Sequence, residues 1–114
     1  MANTFKVITK ANVTSADVIY TVAGSTTTVI LGLVLGNTTT SQVTATVSLA
    51  SDTGSRAGAN NEANQTVELV TNAPIPAGSS LEMLAGNKVV LETTDILKVS
   101  ASGATDVALS IMEI

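Results

Sequence analysis

The sequence of 114 residues contains no cysteine, no histidine and no tryptophan. Without cysteine, the chain forms no disulfide bond of its own and offers no thiolate to a metal ion. Without histidine, it lacks the commonest general base and a frequent zinc ligand. Catalysis would have to use carboxylates and hydroxyl groups alone, so we expect the chain not to be an enzyme.

Charge and aromatic side chains are also scarce. Charged residues make up 12% of the chain and aromatic residues 2%, whereas charged residues make up about 25% of a typical domain. A small domain exposes much of its surface, so threonine, serine, asparagine and apolar side chains must cover this one. We expect part of that surface to be buried in a homo-oligomer or larger assembly, although a monomer coated in hydroxyl groups is the alternative.

The charge distribution and the apolar runs exclude two classes of partner. The net charge is −4 and the five basic residues are scattered, which argues against binding to nucleic acid. The longest apolar run, 29–36, is far shorter than the roughly 20 residues that cross a bilayer. The first ten residues lack the apolar core of a secretory signal. We therefore expect no membrane partner and synthesis in the cytoplasm.

Hydrophobic periodicity indicates strands throughout. Within the predicted strand 42–51, apolar residues at odd positions 43–49 alternate with threonine and serine at even positions 44–48, a pattern typical of a half-buried strand. The run 27–36 is apolar on both faces, which predicts a central strand, with Gly32 at a bulge or close approach. Further strands are predicted at 4–10, 17–23, 65–72, 80–84, 88–93, 96–101 and 106–114. Eight to nine strands with short turns predict one antiparallel β-sandwich domain over 1–114.

The connections carry turn residues. Segments 36–41 and 85–87 are predicted to close hairpins, and 51–64 to form a mobile polar loop or long hairpin tip. Pro74 and Pro76 fix φ and donate no backbone hydrogen bond. We therefore expect "APIPAG" (73–78) to be a stiff crossover that pairs with neither sheet, with Ile75 reaching the core and Gly78 making the bend.

These segments together resemble a family of small tailed-bacteriophage virion proteins. The family pattern reads "TVxAGTTxVVIGLxLANTTxxxVTVTV", then "APIPAG", then "G-K-VVLE-GD-LKV-S" and a final "S-LEI", corresponding here to 20–47, 73–78, 86–100 and 110–114. Two departures are "ETTDILKV", where the family more often has glycine before the aspartate, and "SIMEI", where it often has an aromatic residue and leucine. The resemblance implies an immunoglobulin-like β-sandwich in the virion that decorates (cements) the capsid by binding the major capsid protein. A tail, neck, baseplate or fibre module is the alternative.

The residues available suggest three other kinds of site. Glu82, Glu92 and Asp95 lie on neighbouring predicted strands and could form a glycosidase-like carboxylate pair, but a solvated strand face is the simpler interpretation. Oxygen ligands for Ca²⁺ could come from the long loop at Asp52, Asn60, Asn61 and Glu62, although their spacing matches no EF-hand. Glycan binding would have to rely on Tyr20. No metal or cofactor is expected.

The residues predicted to contact a partner have no catalytic role. Phe5 lies in the segment best suited to pair with an exposed sheet edge, although core filling would also explain it. The long loop offers Arg56, Asn60, Asn61 and Glu62 to a neighbour. We expect copies of the domain, for example trimers, to lie over joints between capsid subunits, where many weak identical contacts add by avidity.

Overall fold

The computed structural model describes residues 3–51, 65–83 and 88–114. These residues form nine strands and contain no helix. The strands are β1 (Thr4–Val13), β2 (Asp17–Thr21), β3 (Thr28–Asn37), β4 (Val43–Ser51), β5 (Gln65–Ile75), β6 (Ser80–Met83), β7 (Val89–Leu91), β8 (Ile96–Ala101) and β9 (Thr105–Glu113).

Two antiparallel sheets pack face to face. Sheet A has the order β1-β9-β3, with β6 and β7 lying one after the other along the far edge of β3. Sheet B has the order β2-β8-β4-β5. The predicted all-β, antiparallel sandwich is therefore confirmed. The central position of the apolar strand is also confirmed, and the β3–β9 register shifts between Ile30 and Gly32, where a bulge was expected.

The core lies between the sheets because each strand turns its alternate apolar residues inward. Both layers contribute fully buried side chains: Ile30, Leu33, Leu35, Leu109 and Ile111 from sheet A, and Val47, Ile75, Leu97 and Val99 from sheet B. Thr44, Thr46 and Ser48 of β4 face outward, as the alternation predicts.

The proline segment differs from its prediction in one respect. Ala73–Ile75 does pair, because β5 continues to Ile75 and aligns with Val43–Ala45 of β4. Pro74 fits there because β5 is an edge strand, where a missing N–H need not break the ladder. The crossover itself is shorter: Ser79 N donates to Pro76 O at 3.0 Å, and Gly78 takes a φ of 69° in this turn.

The hairpin predicted at 36–41 is wrong, because this segment connects β3 in sheet A to β4 in sheet B. The hairpin predicted at 85–87 lies outside the described residues, and the strands on either side of it, β6 and β7, each pair with β3. Asn37 holds the first crossover: its Nδ2 donates to Ser41 O at 2.8 Å and to Ile75 O at 2.9 Å. Strands β4 and β5 do pair, so segment 51–64 joins hairpin partners, but 52–64 lies outside the described residues.

Candidate functional site: the outer face of sheet A

One row of apolar side chains crosses the solvent side of sheet A. Residues directly opposite each other on antiparallel strands share one face of a sheet. Phe5 pairs with Met112, Met112 with Val29, and Val29 with Val90. Their neighbours in sequence, such as Ile30, Leu91 and Ile111, are fully buried, so this row points away from the core. Phe5 is 69% exposed and Val90 57% exposed.

The next two rows on this side contain small residues. Val7 aligns with Ser110 and Gly32, and a Cβ built on Gly32 would meet no atom within 4 Å. Beyond them, Thr9, Ala108 and Val34 align and end at Glu82. We call these three rows the outer A face. Because small side chains lie beside larger ones, the surface of the outer A face is uneven rather than flat.

A shallow groove of about 360 Å³ lies at the end of the face away from Phe5. The outward-facing residues Thr9, Val34 and Ala108 line it, together with Gly36 and Asp106 of the next row. Asp106 Oδ1 accepts a hydrogen bond from Asn12 N at 3.1 Å. The groove is therefore mostly apolar, and its charged lining residues are Lys10 and Asp106, whose carboxylate already binds the backbone.

The solvent side of sheet B has a different chemistry. Its middle row aligns Val18, Lys98, Ser48 and Glu68, and the adjacent row aligns Ser100 with Thr46. Hydroxyl groups and opposite charges dominate these two rows, which we call the outer B face, whereas the row beyond them aligns Ile96 with Ala50. The hydroxyl and charged groups remain well hydrated, so burial of this face would be costly without matching partners.

A polar cluster links the two sheets at the Phe5 end. The Tyr20 hydroxyl of sheet B donates to Glu113 Oε2 at 2.5 Å and lies 2.7 Å from Thr28 Oγ1. Lys6 Nζ lies 2.7 Å from Glu113 Oε1. Burial, followed by the hydrogen bond to Glu113, raises the pKa of Tyr20 to about 12. Hydrogen bonds from Lys6 and then Tyr20 lower the pKa of Glu113 below its ordinary value. The cluster ties β1 to both sheets.

Phe5 is the one predicted partner contact that lies within the described residues. It lies on the edge strand β1 and is exposed, so core filling does not explain it. Arg56, Asn60, Asn61 and Glu62 lie outside the described residues, as does Asp52 of the considered calcium site. Within 3–51, 65–83 and 88–114, no group of three or more acidic residues is arranged to hold a metal ion.

The structure separates Glu82 from the other two predicted carboxylates, Glu92 and Asp95. Glu82 faces outward on β6 opposite Val34, whereas Glu92 follows the β7 residue that pairs with Thr28. Six residues of β3 separate these positions, which corresponds to about 20 Å along a strand. Asp95 is buried, and its Oδ2 accepts a hydrogen bond from Glu92 N at 3.0 Å. This carboxylate stabilises the turn between β7 and β8.

The aromatic residue considered for glycan binding also has a structural role. Tyr20 is partly buried and its hydroxyl belongs to the inter-sheet cluster. Stacking on a sugar needs an open ring face, which leaves Phe5 as the one exposed aromatic side chain. In the part of the chain that the structure describes, no helix is long and apolar enough to cross a membrane.

Sequence reasoning missed Met112, Val29 and Val90 as surface residues. Each lies in a strand whose other face is buried, and an apolar residue at such a position is as easily assigned to the core. A usable signal was present in 88–93 and 106–114, where apolar residues occupy both parities of the alternation. Such runs indicate a strand that is covered on both sides.

Comparison with known proteins finds likeness in structure only. No family model and no curated protein sequence matches the chain. A structure of Bacillus endospore appendages, which are disulfide-linked pili, matches over 97% of this chain and 85% of that one, with 16% identity and a TM-score of 0.44.

Two structures of infectious bursal disease virus also match. One, of the viral particle, covers 97% of this chain with 12% identity and a TM-score of 0.44. The other, of the Gx strain, covers 99% with 12% identity and a TM-score of 0.43. The present chain spans 35% and 37% of those viral chains. At these scores the likeness is one of general shape.

Proposed function

We propose that this chain is a non-enzymatic structural protein of a bacteriophage virion that decorates the assembled head, docking on the capsid through its outer A face. The observation that carries the proposal is the row Phe5–Met112–Val29–Val90, apolar on all four strands and turned to solvent. The assignment to a virion rests on the sequence resemblance, and the outer A face is the proposed attachment surface.

The face suits attachment by burial of apolar surface. Its three rows, about 7 Å apart, extend across four strands spaced about 4.8 Å apart and so present roughly 400 Å². Glu82 is the one charged side chain in its three rows, so apolar burial and shape would dominate the contact. A contact of this kind depends little on screening, so binding should change little between low and moderate ionic strength.

The test is cosedimentation of the purified chain with heads of the source phage that lack this protein. Wild-type chain should bind. Val34→Arg, which places a cation on the inner strand β3 at the groove end of the outer A face, should abolish binding. Val18→Arg is the matched control, because Val18 is 44% exposed on the outer B face and Val34 is 40% exposed. Equal binding by the two variants, or loss of binding on modest addition of salt, would contradict the proposal.

The same experiment separates the head from the tail. Purified tails are run in parallel, and mass spectrometry counts copies of the chain per complete particle. A copy number comparable with that of the major capsid protein supports decoration of the head. A few copies per particle, with binding to tails alone, supports the tail, baseplate or fibre alternative and overturns the head assignment.

A further inference from the structure

The free edge of β1 differs from the other edges of the sandwich. Strand β1 pairs with β9 through seven consecutive residues, Thr4–Lys10, without a register shift, and no described strand pairs with its other side. The shift comes later, between Lys10 and Val13, where Asn12 has a φ of 58°. An unpaired, regular edge strand is a template for another strand.

The remaining edges are protected by their own irregularities. Strand β5 contains Pro74 and two register shifts against β4, and Asn72 has a φ of 49°. Strand β2 has five residues with a shift between Val18 and Tyr20. Strands β6 and β7 have four and three residues. Short, bulged or proline-containing edges pair poorly with other chains, so β1 is the edge suited to association.

From this edge we infer that two copies of the chain associate by antiparallel pairing of β1 with β1 about a two-fold axis centred on Val7. The inference goes beyond the proposed function, because it concerns the purified chain and needs no virion. A two-fold contact closes at two copies, so it builds a dimer and not the trimer considered from the sequence.

Charge excludes two registers and strand length selects among the others, because an axis at Val7 pairs all seven residues of Thr4–Lys10, whereas an axis at Phe5 or Thr9 pairs three of them. Residues opposite each other must lie on the same face, so the axis passes through a residue rather than between two. An axis at Lys6 sets Lys6 against its own copy, and an axis at Ile8 sets Lys6 against Lys10. Like charges directly opposite each other destabilise a sheet. An axis at Val7 sets Val7 against Val7 and Phe5 against Thr9, and places neither lysine opposite another.

The lysines of β1 already have partners on their own domain. Lys6 Nζ lies 2.7 Å from Glu113 Oε1, and Lys10 Nζ donates to Val18 O at 3.2 Å. Lysines on an edge strand usually discourage pairing with another chain. Here, however, both lysine side chains are held toward the inner side of sheet A. They leave the backbone edge accessible and bring a neutralising carboxylate near the dimer axis.

Pairing also covers apolar side chains. Val7 is 65% exposed and Phe5 is 69% exposed in the single chain, and both would gain a neighbour across the axis. The two outer A faces would become one continuous surface of roughly 800 Å², which is comparable with the ~800 Å² that each partner contributes to a standard interface. The dimer would thus present a docking surface that one copy alone does not.

The oligomeric state gives the first test. Light scattering over a concentration series should show wild-type chain rising from 11.5 kDa toward twice that mass. Val7→Lys puts two cations opposite each other at the axis and should raise the dissociation constant by about tenfold or more. Val18→Lys, at an exposed valine of sheet B, should dimerise like wild type. A constant monomer mass, or equal effects of the two substitutions, overturns the inference.

Cysteine cross-linking tests the register. Because the sequence contains no cysteine, each introduced cysteine is the only thiol in its chain. Under mild oxidation Val7→Cys should form a disulfide-linked dimer, because opposite Cβ atoms approach the spacing of a disulfide. Phe5→Cys and Thr9→Cys should each stay unlinked alone and form a heterodimer when mixed. Linking of Val7→Cys no faster than Val18→Cys, or rapid linking of Phe5→Cys alone, would refute this register.

Discussion

The two outer faces of the sandwich share a backbone architecture and differ in chemistry. On the outer A face, a row from Phe5 to Val90 is apolar on every strand. On the outer B face, the corresponding middle row contains Lys98, Ser48 and Glu68. Both sheets contribute inward-facing side chains to one core, so the core does not require this difference. The difference places hydrated groups on one face and exposed apolar side chains on the other, and the proposed docking through the outer A face rests on it.

The largest expected effect tests whether the outer A face stabilises the fold. Leu91 is fully buried and its neighbour Val90 is 57% exposed on the outer A face. Leu91→Ala should lower the free energy of unfolding by about 2–5 kcal/mol, because it leaves a cavity. Val90→Ala should change it by less than about 0.5 kcal/mol. Urea denaturation measures both, and a large loss for Val90→Ala would mean that this apolar surface serves the monomer's fold.

A medium effect concerns the turn that connects the two sheets between β7 and β8. Thr94 has a φ of 73°, which is strained for a β-branched residue. Thr94→Gly should stabilise the chain by about 1 kcal/mol.

Thr93→Gly is the matched control for this turn. The Thr93 hydroxyl donates to Thr26 O at 3.1 Å, so its removal should lower the melting temperature while Thr94→Gly raises it. A fall in melting temperature for both variants would contradict the assigned backbone strain.

The smallest effects concern the pH dependence of stability and the polar cluster of Tyr20, Glu113 and Lys6, which joins the two sheets at one end. The pKa of Tyr20 is raised from 10.0 to about 12 on folding, so its contribution is complete below pH 10 and is lost as the pH rises toward 12. Glu113 has a lowered pKa, so its contribution is present at neutral pH and is lost in acid. Tyr20→Phe should flatten the alkaline fall in stability and Glu113→Gln the acid fall. Unchanged slopes in pH-dependent denaturation would contradict these roles.

Much of the fold could be predicted because strand patterns and turns are local. Strand 96–101 has the predicted bounds, and Ile75 lies in the core as expected. The glycine that the resembled family places before Asp95 coincides with Thr94, whose φ is positive. The partnering of strands was harder: 36–41 was assigned to a hairpin although β3 and β4 lie in different sheets. Turn residues show that the chain reverses, but not into which layer it goes.

The candidate site was predictable only at one residue. Phe5 was singled out as a contact because it lies in a terminal strand suited to edge pairing, and the structure places it on an exposed edge. Met112, Val29 and Val90 were not, since each could equally have faced the core. Their alignment depends on pairing between β1, β9, β3 and β7.

By itself, the sequence determined the strands, the turns, the lack of histidine and cysteine chemistry and the shortage of charge, because these follow from composition and from alternation over a few residues. Only the tertiary structure decided which strands are neighbours, which apolar side chains meet on the solvent side, and which edge is left regular and unpaired. The physical reason is that hydrogen-bonded pairing joins residues from opposite ends of the chain, and no local pattern specifies those partners.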